Sequence, residues 1–360
     1  MRKIQANYIF PIHSEPLANG IVVVDEKGTI LELAPAHTYS DTEKYEGIIC
    51  PSFVNTHCHL ELSYLKNVIP TGTGLVNFIK PIMKIRNDFS AETMATTIAA
   101  AEKEMLENGI AAVGDISNDT TSFAQKAKGN LRYHTFIELL EIRANEADTA
   151  MQNGKEVLAK VPSTARSTAS LSPHAPYTVS GNLLQKISDF NKNEKQGIVT
   201  IHNQECAAEN EFFQTGKGDF YDFYKALGFD IEQYFQHSNS NSLAYVLKHL
   251  SNKHKLLLVH NTFSTAKDIQ LAHAHSENVY WCFCPNANLY IENRLPDFDI
   301  FIKENAKITI GTDSLTSNWQ LCILSELKTI SKAAPHIPLA DLLRWATLNG
   351  AEALGFDDTL

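Results

Sequence analysis

Several short apolar runs in this 360-residue chain end in side chains of the kind that bind metals and move protons. One run ends in His57-Cys58-His59, others in His174, His202 and His260, and Asp313 follows the last. A single histidine at a strand end is more often structural than catalytic, but five such ends in one ring call for another explanation. Residues i and i+2 of a strand point to the same side, so His57 and His59 can converge on one ion. His202 and Asp313 complete a set of three imidazoles and one carboxylate. With a position left for water, that set suits one catalytic divalent cation, zinc or iron, and does not choose between them. Such an ion brings the pKa of a water to about 7 in the best-known case. Glu205 lies three residues beyond His202, on the loop leaving the strand, and is the natural general acid and base, a role worth roughly 10²–10⁴ in rate. The plain alternative is a solvated carboxylate at a helix start, which Glu209 or Glu211 also fits. His260 could donate to the attacking water or to a developing oxyanion.

The elements that must position these groups follow from the hydrophobic pattern. Residues 1–50 read as a small β-domain, with Gly20-Ile21-Val22-Val23-Val24 and Thr29-Ile30-Leu31-Glu32-Leu33 joined by a hairpin loop ending in Gly28. From Ile48 onward come eight apolar runs, at 48–57, 111–116, 131–140, 168–173, 197–202, 255–260, 279–284 and 307–312. They do not alternate strictly, as expected of parallel strands buried on both faces. Stretches of helical periodicity lie between them, such as 91–107 and 180–191, and another at 339–354 follows the last. This α/β pattern predicts a (β/α)8 TIM-like barrel over 51–360, with its chemistry at the C-terminal ends of the strands. A doubly wound sheet is the runner-up. That fold usually carries a Gly-rich phosphate turn after its first strand, where this chain has Asn55-Thr56-His57-Cys58-His59.

Composition narrows the class further. The chain is 44% hydrophobic and 20% charged, with a formal net charge of −10, which forces no basic patch and argues against nucleic-acid or anionic-membrane partners. No stretch approaches the roughly 20 apolar residues that span a bilayer, and no apolar core follows the charged start as in a secretory signal. The six cysteines form no C-x-x-C pair, so free thiols in a reducing cytoplasm are expected. The 14 histidines stand out as a surplus, and the strand ends account for five of them.

Taken together, Pro51-Ser52-Phe53-Val54-Asn55-Thr56-His57-Cys58-His59, His202-x-x-Glu205, Val259-His260-Asn261, Cys284-Pro285-x-x-Asn288 and Gly311-Thr312-Asp313-Ser314-x-x-Ser317-Asn318 resemble the amidohydrolase superfamily. The likeness is to its mononuclear deaminase and chlorohydrolase-like branch. Binuclear relatives carry a bridging carboxylated lysine or a glutamate where this chain reads Ser172-Pro173-His174-Ala175-Pro176-Tyr177. The resemblance implies a barrel with a small β-sandwich domain and one metal on His57, His59, His202 and Asp313. It implies catalytic work by Glu205, His260 and Asp313, a substrate contact from His174, and Ser317 facing the heterocycle. The reaction implied is hydrolytic deamination at C6 of an adenine nucleoside, with a homodimer common among relatives.

More narrowly, His59-Leu60-Glu61-Leu62-Ser63 resembles the aminodeoxyfutalosine deaminases of the alternative menaquinone pathway. That implies Glu61 over the pocket mouth, accepting from ribose hydroxyls or the purine. Arg143 would pair with the substrate's benzoate or sit in a surface ion pair. S-adenosylhomocysteine or methylthioadenosine deaminases, guanine or cytosine deaminases and chlorohydrolases remain as alternatives. Two departures stand out. Ala287 replaces the serine common in C-P-x-S-N, and the chain stops at Phe356-Asp357-Asp358-Thr359-Leu360, where relatives continue into further strands of the small domain. The sandwich is therefore expected to lack a strand and to show an open edge.

Overall fold

A computed structural model describes residues 1–192, 197–237 and 240–359. Five strands lie before the first metal-type histidines: β1 (Arg2–Ile9), β2 (Leu17–Ala18), β3 (Ile21–Val24), β4 (Ile30–Ala34) and β5 (Glu43–Ile49). They form one sheet in the order β2-β1-β3-β4, with β5 running parallel beside β1. The β3–β4 hairpin turns where expected, because the Asp25 carboxylate accepts the Lys27 and Thr29 amides at 2.8 Å and Gly28 takes a φ of 86°. Where a two-layer sandwich was expected, the described residues hold this single, mostly antiparallel sheet. Ile21, Val23 and Ala34 are buried on it, while Ile30, Leu31 and Tyr45 are exposed.

The run expected at 48–57 divides in two. Pro51 has no N–H to give a sheet ladder, and the chain leaves β5 there before entering β6 (Phe53–Cys58). Seven further strands follow: β7 (Ile110–Ser117), β8 (Arg132–Leu139), β9 (Ser167–Pro173), β10 (Ile198–Asn203), β11 (Lys255–His260), β12 (Val279–Phe283) and β13 (Lys307–Ile310). They pair in parallel as β6-β7-β8-β9 and β10-β11-β12-β13. The two sheets meet at both edges. At one seam the His202 amide donates to the His174 carbonyl at 3.0 Å, and at the other the Thr312 and Asp313 amides both donate to the His57 carbonyl at 3.0 Å. Eight parallel strands thus enclose a common interior, as a (β/α)8 barrel requires.

Helices pack outside this wall. Those at Ala91–Glu107 and Gly181–Asn191 start where Ser90 and Ser180 accept the amides of Thr93 and Leu183, ordinary N-caps. The helix expected over 339–354 is instead two, Leu339–Ala346 and Leu348–Leu354, broken at Thr347 with φ −128° and ψ −89°. The bend lays the second helix on β6, where Gly350 is so close that a Cβ would stand 2.8 Å from that of Val54. No described helix is long and apolar enough to cross a membrane, and all six cysteines are free thiols.

One charged pair lies inside the wall. Lys126 Nζ stands 2.5 Å from Asp115 Oδ2 and also donates to Ser117 Oγ at 2.9 Å, and both partners of the ion pair are almost wholly buried. Asp115 Oδ1 accepts the Leu60 amide at 2.8 Å, which fixes the chain just beyond His59. Removing one partner of a buried pair leaves the other charge uncompensated. Lys126→Met should therefore destabilise the fold by about 3–5 kcal/mol in urea unfolding, whereas a loss under about 1 kcal/mol would show that the pair holds little.

Candidate active site

Three imidazoles meet at the C-terminal mouth of the barrel. His57 leaves the end of β6, His59 follows it, and His202 comes from β10. His59 Nε2 lies 3.2 Å from His57 Nε2 and 3.3 Å from His202 Nε2. These are not ordinary hydrogen bonds. His202 Nδ1 donates to the His174 carbonyl at 2.7 Å, so its Nε2 carries a lone pair rather than a hydrogen. Burial, reinforced by neighbouring imidazoles, pushes the His59 pKa down to about 3 and that of His202 well below its usual value. Neutral rings aimed at one point are what a cation needs. Ligands at 2.0–2.1 Å in a tetrahedron stand about 3.3 Å apart, close to the spacing found.

Asp313 Oδ1 approaches from the opposite seam, 3.7 Å from His57 Nε2 and 3.5 Å from His59 Nε2. Burial works against its charge, yet the nearby His57 and the surrounding imidazoles hold Asp313 well below the usual carboxylate range. Its Oδ2 accepts the Ser317 hydroxyl at 2.7 Å. Gly311 lets the two seam strands close up, because a Cβ there would stand 2.8 Å from the His57 Cβ. These donors fit a single divalent cation. A second trio, Glu138, His174 and His202, also lies close together. It cannot hold another ion beside the first, since the His202 nitrogen on that side already carries the hydrogen given to His174.

The groups that could move protons stand on the loop after β10 and at the end of β11. Glu205 is buried, and burial together with Asp313, Glu209 and Glu292 raises its pKa well above normal. Its loop is clamped by Glu209, whose two oxygens accept the Gln204 and Glu205 amides at 2.9 and 3.2 Å. Glu209 is thus a buried brace rather than a solvated helix-start carboxylate. His260 Nε2 lies 3.7 Å from Glu205 Oε1, and its Nδ1 donates to Asn288 Oδ1 at 2.8 Å. That bond leaves a lone pair on Nε2, facing the site. Gln204, His260, Asn261 and Asp313 all hold left-handed backbone, with φ of 46°, 73°, 57° and 58°. Such angles are costly for residues with side chains and cluster where a strand end must turn sharply to aim one. Asn261 locks its corner by donating to the Leu258 carbonyl at 2.8 Å.

A cavity of about 450 Å³ opens over this cluster. His174, Ser317, His202, Glu205, His260 and Asp313 face it, and Phe78, Ile82 and Phe223 form an apolar wall. Two expected substrate contacts lie elsewhere. Glu61 is buried beneath the loop after β7 instead of standing over the mouth, and both its oxygens accept the Asn118 amide at 3.1 Å. Arg143 is exposed and forked onto Glu141 at 2.9 and 2.7 Å, outside the lining of this cavity. Two residues passed over in the sequence do line it, Glu138 and Arg86. A lone charge in the apolar run Phe136-Ile137-Glu138-Leu139-Leu140 was the available signal for Glu138. Arg86 follows the helix Leu75–Ile85, far from any motif, and gave none.

Known proteins bear on this site. The profile described as the amidohydrolase family matches residues 48–360. An adenosine deaminase of Helicobacter pylori is 25% identical over 347 residues, covering 94% of this chain and 83% of that one. An aminodeoxyfutalosine deaminase of a Nitratiruptor species is 26% identical over 317 residues, with coverage of 86% and 75%. The crystal structure of Helicobacter pylori aminofutalosine deaminase with methylthio-coformycin superposes with a TM-score of 0.80 at 22% identity, over 99% of this chain and 88% of that one.

The Ser317 hydroxyl, 3.0 Å from Ser314 Oγ and 2.7 Å from Asp313 Oδ2, supports the one carboxylate of the cluster, which gives a test. Ser317→Ala should weaken zinc binding roughly 10–100-fold, the usual effect of losing a group that orients a ligand. A competition titration with a chromophoric chelator reads this, and unchanged affinity would remove Ser317 from the support of Asp313.

Proposed function

The chain belongs to the amidohydrolase family, and we propose that it is a metal-dependent hydrolytic deaminase of adenine nucleosides, with aminodeoxyfutalosine as its preferred substrate. The observation that carries this reading is the meeting of His57, His59 and His202 with Asp313, directly under a cavity that also presents the buried Glu205. His57, His59, His202 and Asp313 would hold one divalent cation, zinc in the first instance. The cation supplies Lewis acidity and brings the pKa of water toward about 7.

The remaining work falls to the chain's own groups. Burial favours the protonated form of Glu205, the group placed to give a proton to N1 of the adenine ring. That makes C6 electron-poor and open to attack by water. His260 Nε2, free of hydrogen because Nδ1 serves Asn288, accepts a proton from the attacking water together with Asp313. C6 then passes from planar to tetrahedral, and a proton returned through Glu205 lets the amine leave as ammonia. Water loses its first proton on attack and its second as the C6 hydroxyl becomes a carbonyl; one of the two leaves on ammonia and the other replaces the proton that Glu205 gave to N1, so Glu205 is restored. The rest of the substrate extends along the apolar wall. Arg86 lines the cavity and has no ion-pair partner among the described residues, so it is the cation available to a carboxylate on the substrate's arm. Arg143 is already committed to Glu141.

The test is an ammonia-release screen over aminodeoxyfutalosine, S-adenosylhomocysteine, methylthioadenosine, adenosine, guanine and cytosine. Turnover of the adenine nucleosides, led by aminodeoxyfutalosine, is expected. Turnover of free bases alone would overturn the reading. Glu205→Gln should keep its metal and lose roughly 10²–10⁴ in kcat. A variant retaining more than about a tenth of the wild-type rate would exclude Glu205 as the proton carrier.

A further inference from the structure

Cys282 and Cys284 take no part in the reaction proposed above. Cys282 lies on β12, and Cys284 caps the helix Pro285–Glu292 that follows. Residues i and i+2 of a strand share a side. Phe283 between them packs the other way, against Phe298 and Phe301. The two sulfurs therefore stand 4.0 Å apart, wholly buried and both as free thiols.

That spacing suits an ion held between them. Two bonds to sulfur of about 2.3 Å, opened to about 120°, span about 4.0 Å. Gly311 passes beside the pair, where a Cβ would stand 2.9 Å from each sulfur. Only glycine leaves that flank open, at equal distance from both. Thr56 Oγ1, 3.2 Å from Cys282 Sγ, adds an oxygen on the near side. Leu257, Val259 and Ala287 belong with the two cysteines to one apolar cluster. Such surroundings penalise net charge, and two thiolates with one divalent ion carry none. Thiolates are soft ligands, unlike the imidazoles and carboxylate of the cluster at the barrel mouth.

We infer that Cys282 and Cys284 form a second cation site, separate from His57, His59, His202 and Asp313, for one soft divalent ion of the cadmium kind. The ion replaces the two thiol hydrogens, which leave as protons. Zinc finds four ligands at the barrel mouth and only two sulfurs here, so the two sites sort ions by softness. Because both sulfurs are buried, loading waits on local opening of the strand ends.

The test titrates zinc-loaded protein with cadmium, incubated to equilibrium, and reads the ultraviolet charge-transfer band of cadmium–thiolate bonds. One equivalent should develop the band. Cys282→Ser and Cys284→Ser should each weaken this binding by more than about 100-fold, beyond the 10–100-fold that follows loss of a group behind a ligand. Cys50→Ser and Cys322→Ser, at the two partly exposed thiols, should leave it unchanged. Absence of the band, its survival in Cys282→Ser and Cys284→Ser, or its loss in Cys50→Ser or Cys322→Ser would overturn the site. If the variants on β12 and beside it do not fold, cadmium X-ray absorption on the wild type decides. Two sulfur neighbours per bound ion are expected, and fewer than two would overturn the site. No turnover is measured, so the outcome stands apart from the deaminase reading.

Discussion

One carbonyl closes the barrel. The His57 oxygen accepts both the Thr312 and the Asp313 amides at 3.0 Å, which ties the last strand to the first. The imidazole of the same residue stands in the site, and Asp313 Oδ1 faces it at 3.7 Å. The bond that completes the fold therefore also sets the distance between two of the groups that face the cation. The opposite seam works similarly, because the His174 carbonyl that accepts the His202 amide also accepts the His202 ring hydrogen. Closing the wall and aiming the ligands are one act, and neither seam can loosen without disturbing the site.

Behind these contacts lies a layer of buried polar side chains that face no cavity. Glu326 is an instance. Its carboxylate accepts the Asn286 amide at 2.8 Å and the side chains of Asn286 and Asn318 at 2.9 and 2.8 Å. Asn318 in turn donates to the Thr312 carbonyl at 2.8 Å. The loop of Asp313 and the helix carrying Asn288, the partner of His260, are thus braced against one carboxyl. Buried polar groups of this kind stabilise only when every member is satisfied, and here they spread that requirement across the site's supports.

Much of the architecture was readable from residue order, and the reason is physical. The interior of a parallel barrel is apolar, so a histidine or aspartate ending an apolar run is conspicuous. Its strand sets its place in the ring, which is why His57, His59, His202, His260 and Asp313 could be named together. Side chains on loops carry no such constraint. Glu61 turned inward to the Asn118 amide and Arg143 folded back onto its neighbour Glu141, and no periodicity encodes either choice. Thr347 was missed for a related reason, since apolar spacing continues through a break that packing against β6 imposes. The two-layer small domain came from family likeness alone, and the described chain presents a single sheet there.

The left-handed backbone at Gln204, His260, Asn261 and Asp313 has a consequence for evolution. A side chain branched at Cβ is badly strained at such angles, whereas asparagine, aspartate and glycine tolerate them. Random replacement at these corners would damage folding before it could trial a new chemistry. Innovation in this scaffold is thereby steered toward the apolar wall and the outer loops, where a change of substrate leaves the aim of the catalytic groups intact.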